Sequence, residues 1–256
     1  MCKNIKQNKE YDFKVYFFKA GKADSILISN NDKYILIDTG EADLADDILT
    51  YFRNNNITKL DYLIITHFDK DHVGSASEII NSIEIDNILQ SNSPKESEYY
   101  NNYIEALENK SITPNTVSGD LEFTLGDFNV VVNGPDKTYD SNESNNSSLI
   151  VSINYKDTNY LFMGDSQNDR IKDYLSEHSD KKYDFIKIPY HGHFQKQLDN
   201  LLEAVNPKYA VITCSNSEME DDETVNLLKQ LNIKYYVTRQ GSITIKSDGK
   251  DIVIEQ

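Results

Sequence analysis

Short hydrophobic runs recur along the whole chain, separated by turn-forming or charged residues. Most runs have the length and the β-branched or aromatic content of strands, and several segments between them have a helical period. Short connections, as between Tyr155 and Thr158, favour antiparallel or mixed pairing over a purely parallel sheet. The pattern therefore predicts an α/β protein in which helices cover the outer faces of two mixed sheets. Strands are predicted over residues 13–18, 23–29, 33–38, 61–66, 128–133, 148–155, 158–164, 184–189, 208–213, 234–237, 241–246 and 251–255, and helices over residues 43–54, 75–82, 95–108, 166–178, 195–204 and 221–232.

Polar residues follow the ends of four of these predicted strands. Asp38, Asp165 and His191 each come just after a hydrophobic run, and the segment His67–His72 (His-Phe-Asp-Lys-Asp-His) follows another. Imidazole and carboxylate groups are the usual nitrogen and oxygen ligands of zinc and related divalent metals. Because side chains alternate along a strand, this segment can bring its ligands together only as a tight loop, with Gly74 where the loop turns into the next helix. An ordinary polar loop is the alternative, but four such strand ends favour one shared site.

The order of these residues resembles that of the metallo-β-lactamase fold, whose pattern is Asp, His-x-His-x-Asp-His, Asp and His on strand ends. Within this fold the chain is most similar to the hydrolase domain of ComEC-type competence proteins, because Asp69 stands in place of the second His of the motif. The resemblance implies a four-layer αββα sandwich with mixed sheets, in which residues 13–256 form a single domain after a polar N-terminal tail of residues 1–12. Further segments that carry the resemblance are Gly21–Ser25, Asn145–Leu149, Pro189–Gly192 and Thr238–Ile245.

The resemblance also implies two divalent metal ions, zinc or manganese, as cofactors. Each ion would have its own ligands, and one carboxylate would bridge the two. The first ion would be held by His67, Asp69 and a third group from among Asn145, Asn146, Ser147 and Ser148, and the second by Asp71, His72 and His191, with Asp165 as the bridge. Asp38 would lie behind the His loop and orient it through hydrogen bonds. The alternative for Asp38 is an ordinary turn-opening residue.

Several residues depart from the general pattern of this fold. Most of its hydrolases have a third-motif His before the strand predicted at 148–155, whereas this chain has only Asn and Ser there. Together with Asp69 these oxygen ligands favour Mn²⁺ or Mg²⁺ over Zn²⁺ at the first site, and that site is expected to be weak or empty. His193 stands where the competence-type motif has Ser, and it is either a general acid or an ordinary surface histidine. An acidic run over residues 215–222 replaces a Gly-His-Pro segment of that branch.

Net charge restricts the substrates that the protein attracts. The chain has 26 basic and 42 acidic residues, for a formal charge of −16. Such a surface repels the phosphate backbone of nucleic acids, although screening limits the repulsion to about 8 Å at physiological ionic strength. Lys22, Lys70, Lys187 and Lys196 lie near site motifs and could form a local basic funnel, or they are scattered surface lysines.

The implied activity is hydrolysis by a metal-activated water, with Asp71 as a catalytic residue as well as a ligand. A phosphodiesterase or nuclease that acts on nucleic acid or small nucleotides is the first hypothesis. Hydrolysis of another ester, a lactone or an amide is the second. The third is a degenerate binding domain that keeps the metal loop for stability alone, and the retention of six ligand positions argues against it, since clustered carboxylates repel one another without a cation.

Two cysteines, Cys2 and Cys214, lie near opposite ends of the chain and are expected to be free thiols. The expected location is cytoplasmic, because the sequence has no signal-peptide apolar region. The alternative is an extracytoplasmic lipoprotein with Cys2 as its mature N-terminus, because the polar residues 3–10 resemble a lipoprotein tether. The apolar runs are far shorter than the about 18 residues that cross a bilayer.

Overall fold

The computed structural model describes residues 11–256, and the elements alternate as the hydrophobic pattern predicts. The strands are β1 Phe13–Phe17, β2 Ile26–Asn30, β3 Lys33–Ile37, β4 Lys59–Ile65, β5 Glu84–Gln90, β6 Asn115–Thr116, β7 Gly119–Leu125, β8 Phe128–Gly134, β9 Ile150–Tyr155, β10 Thr158–Phe162, β11 Phe185–Lys187, β12 Tyr209–Ile212, β13 Lys234–Val237, β14 Ile243–Ser247 and β15 Ile252–Glu255. The helices are α1 Ala45–Asn54, α2 Lys70–Val73, α3 Ala76–Ser82, α4 Glu98–Lys110, α5 Asn168–His178, α6 Leu198–Val205 and α7 Asp222–Gln230, and short 3₁₀ turns cover Ala42–Leu44, Ser141–Ser147, Pro189–Gly192 and Thr238–Gln240.

The strands form two mixed sheets. The first has the order β15-β14-β1-β2-β3-β4-β5-β6, and the second has the order β13-β12-β11-β10-β9-β8-β7. Each sheet has an antiparallel half and a parallel half: β3 to β6 are parallel in the first sheet, and β10 to β13 in the second. The short turn after Tyr155 joins β9 and β10 as an antiparallel pair, as predicted.

Alternation along the strands separates the apolar side chains into three layers. Phe13, Val15 and Phe17 of β1 are fully buried between the two sheets. On β10, Phe162 points into the same layer, whereas its neighbour Leu161 packs against the helices on the other face of the second sheet. This period of two, in strands buried on both faces, explains why the runs are almost continuously hydrophobic.

Helices cover both outer faces. Ile48 of α1, Ile79 of α3 and Leu107 of α4 pack against the first sheet, and α5, α6 and α7 pack against the second through residues such as Ile171 and Leu202. The order helix, sheet, sheet, helix is the predicted four-layer αββα sandwich, and the fold class is therefore confirmed.

Some predicted bounds are wrong. The predicted strand 23–29 begins only at Ile26, and Asp24 lies in the loop before it. Strands β5 and β7 were not predicted, because charged and polar residues occupy much of Glu84–Gln90 and Gly119–Leu125, and β7 is an edge strand with alternate residues exposed. The one-turn helix α2 within the His loop was also not predicted, because it is too short to show a helical period in the sequence.

Several expectations concern the chain termini and membranes. Residues 1–10, which include Cys2 and most of the predicted tail, lie outside the described residues. Cys214 is a buried free thiol. Within residues 11–256, none of the helices has both the length and the apolar character needed to cross a bilayer.

The parallel halves of the two sheets end at one common edge of the sandwich. Asp38 follows β3, His67 follows β4 and Asp165 follows β10, and the turn Pro189–Gly192 follows β11. The carboxyl ends of parallel strands are where open α/β sheets place their ligand sites, because the backbone there leaves the sheet and frees side chains for binding.

Candidate metal centre

The His loop folds back on itself after β4. The chain leaves the strand at Ile65, and α2 turns it so that the backbone N–H of His72 donates to the carbonyl of Asp69 at 2.9 Å. Gly74 makes this turn possible, because a Cβ at that position would lie 2.4 Å from the carbonyl oxygen of Lys70 and 2.7 Å from that of Gly40. The tight loop predicted from ligand spacing is therefore present.

Four of the predicted ligands converge on one point. His191 Nε2 lies 2.9 Å from Asp165 Oδ2 and 3.4 Å from Asp71 Oδ2, and His72 Nε2 lies 3.3 Å from Asp165 Oδ2. One ligand atom from each of these four residues lies within 4.8 Å of the others. Two imidazoles and two carboxylates at this spacing could hold a divalent ion.

The tautomers of the two histidines support that interpretation. His191 Nδ1 lies 3.0 Å from the carbonyl oxygen of Thr213, which can only accept, so Nδ1 carries the proton. His72 Nδ1 lies 2.7 Å from Asp38 Oδ2 and donates to it in the same way. In the neutral rings each Nε2 then carries a lone pair instead of a proton. Both Nε2 atoms are buried without a hydrogen bond. Lone pairs that face carboxylate oxygens repel them unless a cation lies between, so the donor set fits a metal ion.

Asp38 lies beneath the His loop and is fully buried. Its Oδ1 accepts from the backbone N–H of Thr66 and its Oδ2 from the hydroxyl of Thr66, both at 2.7 Å, in addition to His72 Nδ1. These bonds connect the end of β3 to the end of β4 and orient the His72 ring. They are the kind of contact that the resemblance implied for Asp38.

A buried ion pair that the sequence interpretation missed supports Asp165. The ammonium of Lys187 lies 2.5 Å from Asp24 Oδ2 and 3.5 Å from Asp165 Oδ1, and it donates to the carbonyl of Gly164 at 2.9 Å. Asp24 Oδ1 also accepts from the hydroxyl of Thr213 at 2.6 Å. Asp24, Asp38 and His72 form a second close group of ligand atoms. The bonds described above, however, already engage the carboxylate oxygens of Asp24 and Asp38 and the Nδ1 of His72.

The prediction that Lys187 contributes to an exposed basic funnel is wrong, because its side chain is fully buried. The sequence did contain a signal for this role. Lys187 is the single charge within the apolar run from Phe185 to Ile188, and a lone charge in a buried strand requires a partner of opposite sign. Asp24, just before the run that begins at Ile26, is such a partner.

The carboxylates change the protonation of the histidines. Burial alone would lower the pKa of both His72 and His191, but Asp165, with Asp38 acting on His72, raises the pKa of His72 well above its ordinary value. Asp165 and Asp71 raise the pKa of His191 to about 9 against the same effect of burial. Burial would raise the pKa of Asp165, but His191, His72 and Lys187 hold it well below its usual range. The cluster therefore favours a bound cation, either a proton or a metal ion.

The predicted ligands of the first ion do not converge in the same way. Asp69 Oδ1 accepts from the ammonium of Lys95 at 2.6 Å and lies 3.9 Å from His67 Nε2, which is buried without a partner. Ser148 Oγ accepts from the backbone N–H of Asp165 at 3.0 Å, and Asn146 Oδ1 accepts from that of Arg170 at 3.3 Å. The hydroxyl of Ser147 donates to the carbonyl of Ser144 at 2.6 Å, and Asn145 lines the cleft described next.

A cleft of about 450 Å³ opens in front of the cluster. Asp71 and Asp165 lie at its base, and its walls include the cationic and aromatic residues Lys22, Lys70, Lys95, Tyr99 and Tyr190. His193 stands beside the rim: its ring centroid lies 5.2 Å from that of Tyr190, and its Nδ1 lies 3.3 Å from Asp221 Oδ1. Lys196 is exposed and does not line this cleft. A larger cleft of about 750 Å³, on the outer face of the second sheet beside α5, contains none of the predicted site residues.

Comparison with known proteins gives matches over most of the chain. A family model described as the metallo-beta-lactamase superfamily matches residues 19–215. ComE operon protein 3 from Bacillus subtilis (strain 168) is 21% identical over 200 residues, which cover 75% of this chain and 25% of that protein. The chain thus spans about a quarter of the length of this curated relative.

Solved structures with low sequence identity share the fold. The metallo-beta-lactamase fold protein YhfI from Bacillus subtilis is 11% identical with a TM-score of 0.58, and the match covers 95% of this chain and 100% of that one. CmlA, a diiron beta-hydroxylase from Streptomyces venezuelae, is 14% identical with a TM-score of 0.58 over 93% of this chain and 55% of that one. At these identities the likeness extends to the architecture alone.

The raised pKa values of His72 and His191 lead to a prediction about metal binding. A metal ion needs both Nε2 lone pairs, so its binding at pH 7 should release about two protons, and its affinity should rise as the pH increases from 7 toward the His191 pKa of about 9. Isothermal titration with Mn²⁺ or Zn²⁺ in two buffers of different ionisation enthalpy measures the number released. Release of less than about half a proton per ion would contradict the assigned protonation.

Proposed function

The chain belongs to the metallo-β-lactamase superfamily, and we propose that it is a metal-dependent phosphodiesterase or nuclease that acts on small nucleotides or nucleic acid. Membership in the superfamily supports a hydrolase. One observation carries the narrower proposal: the cluster of Asp71, His72, Asp165 and His191 opens into a cleft lined by three lysines. The similarity to ComE operon protein 3 agrees with it.

Three of the four side chains of the cluster are held by a neighbour before any substrate arrives. Asp38 fixes the ring of His72, the carbonyl of Thr213 fixes that of His191, and the Lys187 ammonium neutralises part of the Asp165 charge. A divalent ion held there would polarise a phosphoryl oxygen and lower the pKa of water toward neutrality. The protein itself therefore supplies preorganised ligands, which need little rearrangement during the reaction.

The lysines of the cleft suit an anionic substrate. Lys22 and Lys95 extend into it from different segments, and their ammonium groups would meet the non-bridging oxygens of a phosphodiester. Tyr99 and Tyr190 form apolar walls against which a nucleobase could stack. A neutral lactone or amide would use neither the charge nor the aromatic surface as fully.

Two residues would act on water and on the leaving group. Asp71 is mostly buried, and although burial would raise its pKa, the neighbouring His191 and His72 lower it far below the ordinary value. It therefore stays ionised, as a metal ligand must, and its carboxylate would accept a hydrogen bond that orients the attacking water. His193, beside Tyr190 and paired with Asp221, would protonate the leaving oxygen as a general acid.

The charge of the whole chain favours small substrates over long duplexes. A formal charge of −16 repels a phosphate backbone that extends beyond the cleft, whereas a nucleotide inside it meets mainly the local lysines. We therefore propose that substrate affinity comes from the cleft and not from a broad basic surface.

Removing the Asp71 carboxylate should abolish hydrolysis without unfolding the protein. Asp71→Asn keeps the side-chain volume but removes a carboxylate ligand that would also orient the attacking water, so turnover of bis-p-nitrophenyl phosphate should fall about a thousandfold. The matched control is Asp86→Asn, which removes a carboxylate that pairs with Lys59. Full activity in Asp71→Asn with metal still bound would refute the assignment.

The wild-type protein distinguishes the alternative functions. Turnover of p-nitrophenyl acetate but not of the phosphodiester would favour an esterase, and metal binding without turnover of either would favour a binding domain.

The role of His193 depends on the leaving group. If His193 protonates the leaving oxygen, His193→Gln should slow a diester with an alkyl alcohol leaving group about a hundredfold, because an alkoxide leaves poorly unprotonated. The same variant should hardly affect a p-nitrophenolate ester, whose leaving group is stable as an anion. His178→Gln serves as the control, since His178 packs on Tyr174 beside the other cleft. Equal losses on both substrates in His193→Gln would exclude acid catalysis by this residue.

Substrate size can be tested by binding with catalysis blocked. Labelled duplex DNA, short oligonucleotides and cyclic nucleotides are titrated against Asp71→Asn at about 150 mM salt. We expect weak, strongly salt-dependent duplex binding, because few phosphates can be neutralised. Short ligands should bind at least as well as the duplex. Submicromolar duplex affinity would instead identify an extended nucleic-acid surface.

A further inference from the structure

The first of the two implied metal sites is occupied by protein groups in this structure. A divalent ion there would need lone pairs from His67, Asp69 and a third ligand. Asp69 Oδ1, however, already accepts a 2.6 Å bond from the ammonium of Lys95, and Lys95 also donates to the hydroxyl of Ser144 at 3.2 Å. The oxygens of Asn146 and Ser148 are engaged with backbone N–H groups. His67 Nε2 alone is buried and without a partner, and one imidazole is far from the three or four ligands that a tight site uses.

The loop that carries Lys95 is anchored to the segment that should have supplied the third ligand and to the residues that precede this segment. The hydroxyl of Ser91 donates to the carbonyl of Ser147 at 2.8 Å, and the amide of Asn92 donates to that of Pro135 at 2.8 Å. The hydroxyl of Ser93 accepts from the backbone N–H of Tyr139 at 2.9 Å. These bonds span more than forty positions of sequence. The position of the lysine is thus set by tertiary contacts, and its side chain is less exposed than that of Lys70, which pairs with Glu41.

We propose that the Lys95 ammonium takes the place of the first metal ion, so that the protein holds one divalent ion per chain, at Asp71, His72, Asp165 and His191. An ammonium supplies a positive charge and N–H donors to Asp69 without needing a third ligand, which fits a loop that has no histidine. Its charge also repels a second divalent ion from the same position. Lys95 faces the cleft, so it would contact the substrate where the second ion would otherwise do so.

This inference rests on the proposed function, because it assumes that the second group of ligands binds a metal ion. The proposed function requires a bound metal ion, whereas the inference concerns how many ions are bound and on which residues that number depends.

The experiment counts metal ions in the full chain. Wild type and variants are stripped, equilibrated with excess Mn²⁺ or Zn²⁺, freed of unbound metal and analysed for metal per chain by mass spectrometry. Lys95→Met removes the ammonium but keeps the apolar stem, and Lys59→Met removes an ammonium that pairs with Asp86 elsewhere. Asp69→Asn and Asp71→Asn form a second matched pair within the His loop. Thermal unfolding of each variant confirms that it is folded.

We expect one ion in wild type, in Lys59→Met and in Asp69→Asn, none in Asp71→Asn, and a second ion in Lys95→Met. Two ions in wild type, with loss of one in Asp69→Asn, would overturn the inference and leave the proposed hydrolase intact. A single ion in Lys95→Met would show that the lysine does not exclude the second one, which also overturns the inference. No ion in wild type under any condition would overturn the proposed function itself.

Discussion

The crowding of negative charge at one edge of the sandwich governs the rest of the site. Asp24, Asp38 and Asp165 are buried there and Asp71 is mostly buried, and Lys187 is the buried ammonium that faces them. Carboxylates this close to one another are unfavourable in a medium of low dielectric constant unless cations lie between them. The raised pKa values of His72 and His191 are consequences of that imbalance, because a neutral ring would point its Nε2 lone pair at carboxylate oxygens. A bound divalent ion would relieve it.

The same groups join the two sheets. Asp24 precedes β2 of the first sheet, yet it bonds to Thr213 and Lys187 from the second. Asp38 and His72 belong to the first sheet's side, and Asp165 and His191 to the second. The cluster therefore exists only when both sheets are packed, and the large apolar layer between them places its halves at the right separation. Stability and function are coupled here, because loss of packing would separate the ligands.

Charge acts on two length scales in this protein. Over the whole surface a formal charge of −16 repels polyanions, while within the cleft Lys22, Lys70 and Lys95 offset the carboxylates locally. Because screening weakens interactions beyond about 8 Å, the local balance decides what enters the cleft and the overall charge decides what approaches from a distance. Such an arrangement suits a compact anion better than a long one.

The sequence by itself determined the architecture and most of the cluster. Strand and helix periodicity predicted the alternating elements, because burial on one or two faces leaves a readable pattern, and the resemblance to the metallo-β-lactamase fold implied the four layers. Periodicity failed for β5 and β7, where polar residues break the pattern. Ligand chemistry at strand ends indicated one shared site, and the resemblance implied Asp71, His72, Asp165 and His191 as ligands there. Only the tertiary structure showed the buried pair of Asp24 and Lys187 and the contact of Lys95 with Asp69. Both join residues far apart in the chain, and the burial and direction of a lysine side chain depend on the elements folded around it, which no local pattern encodes.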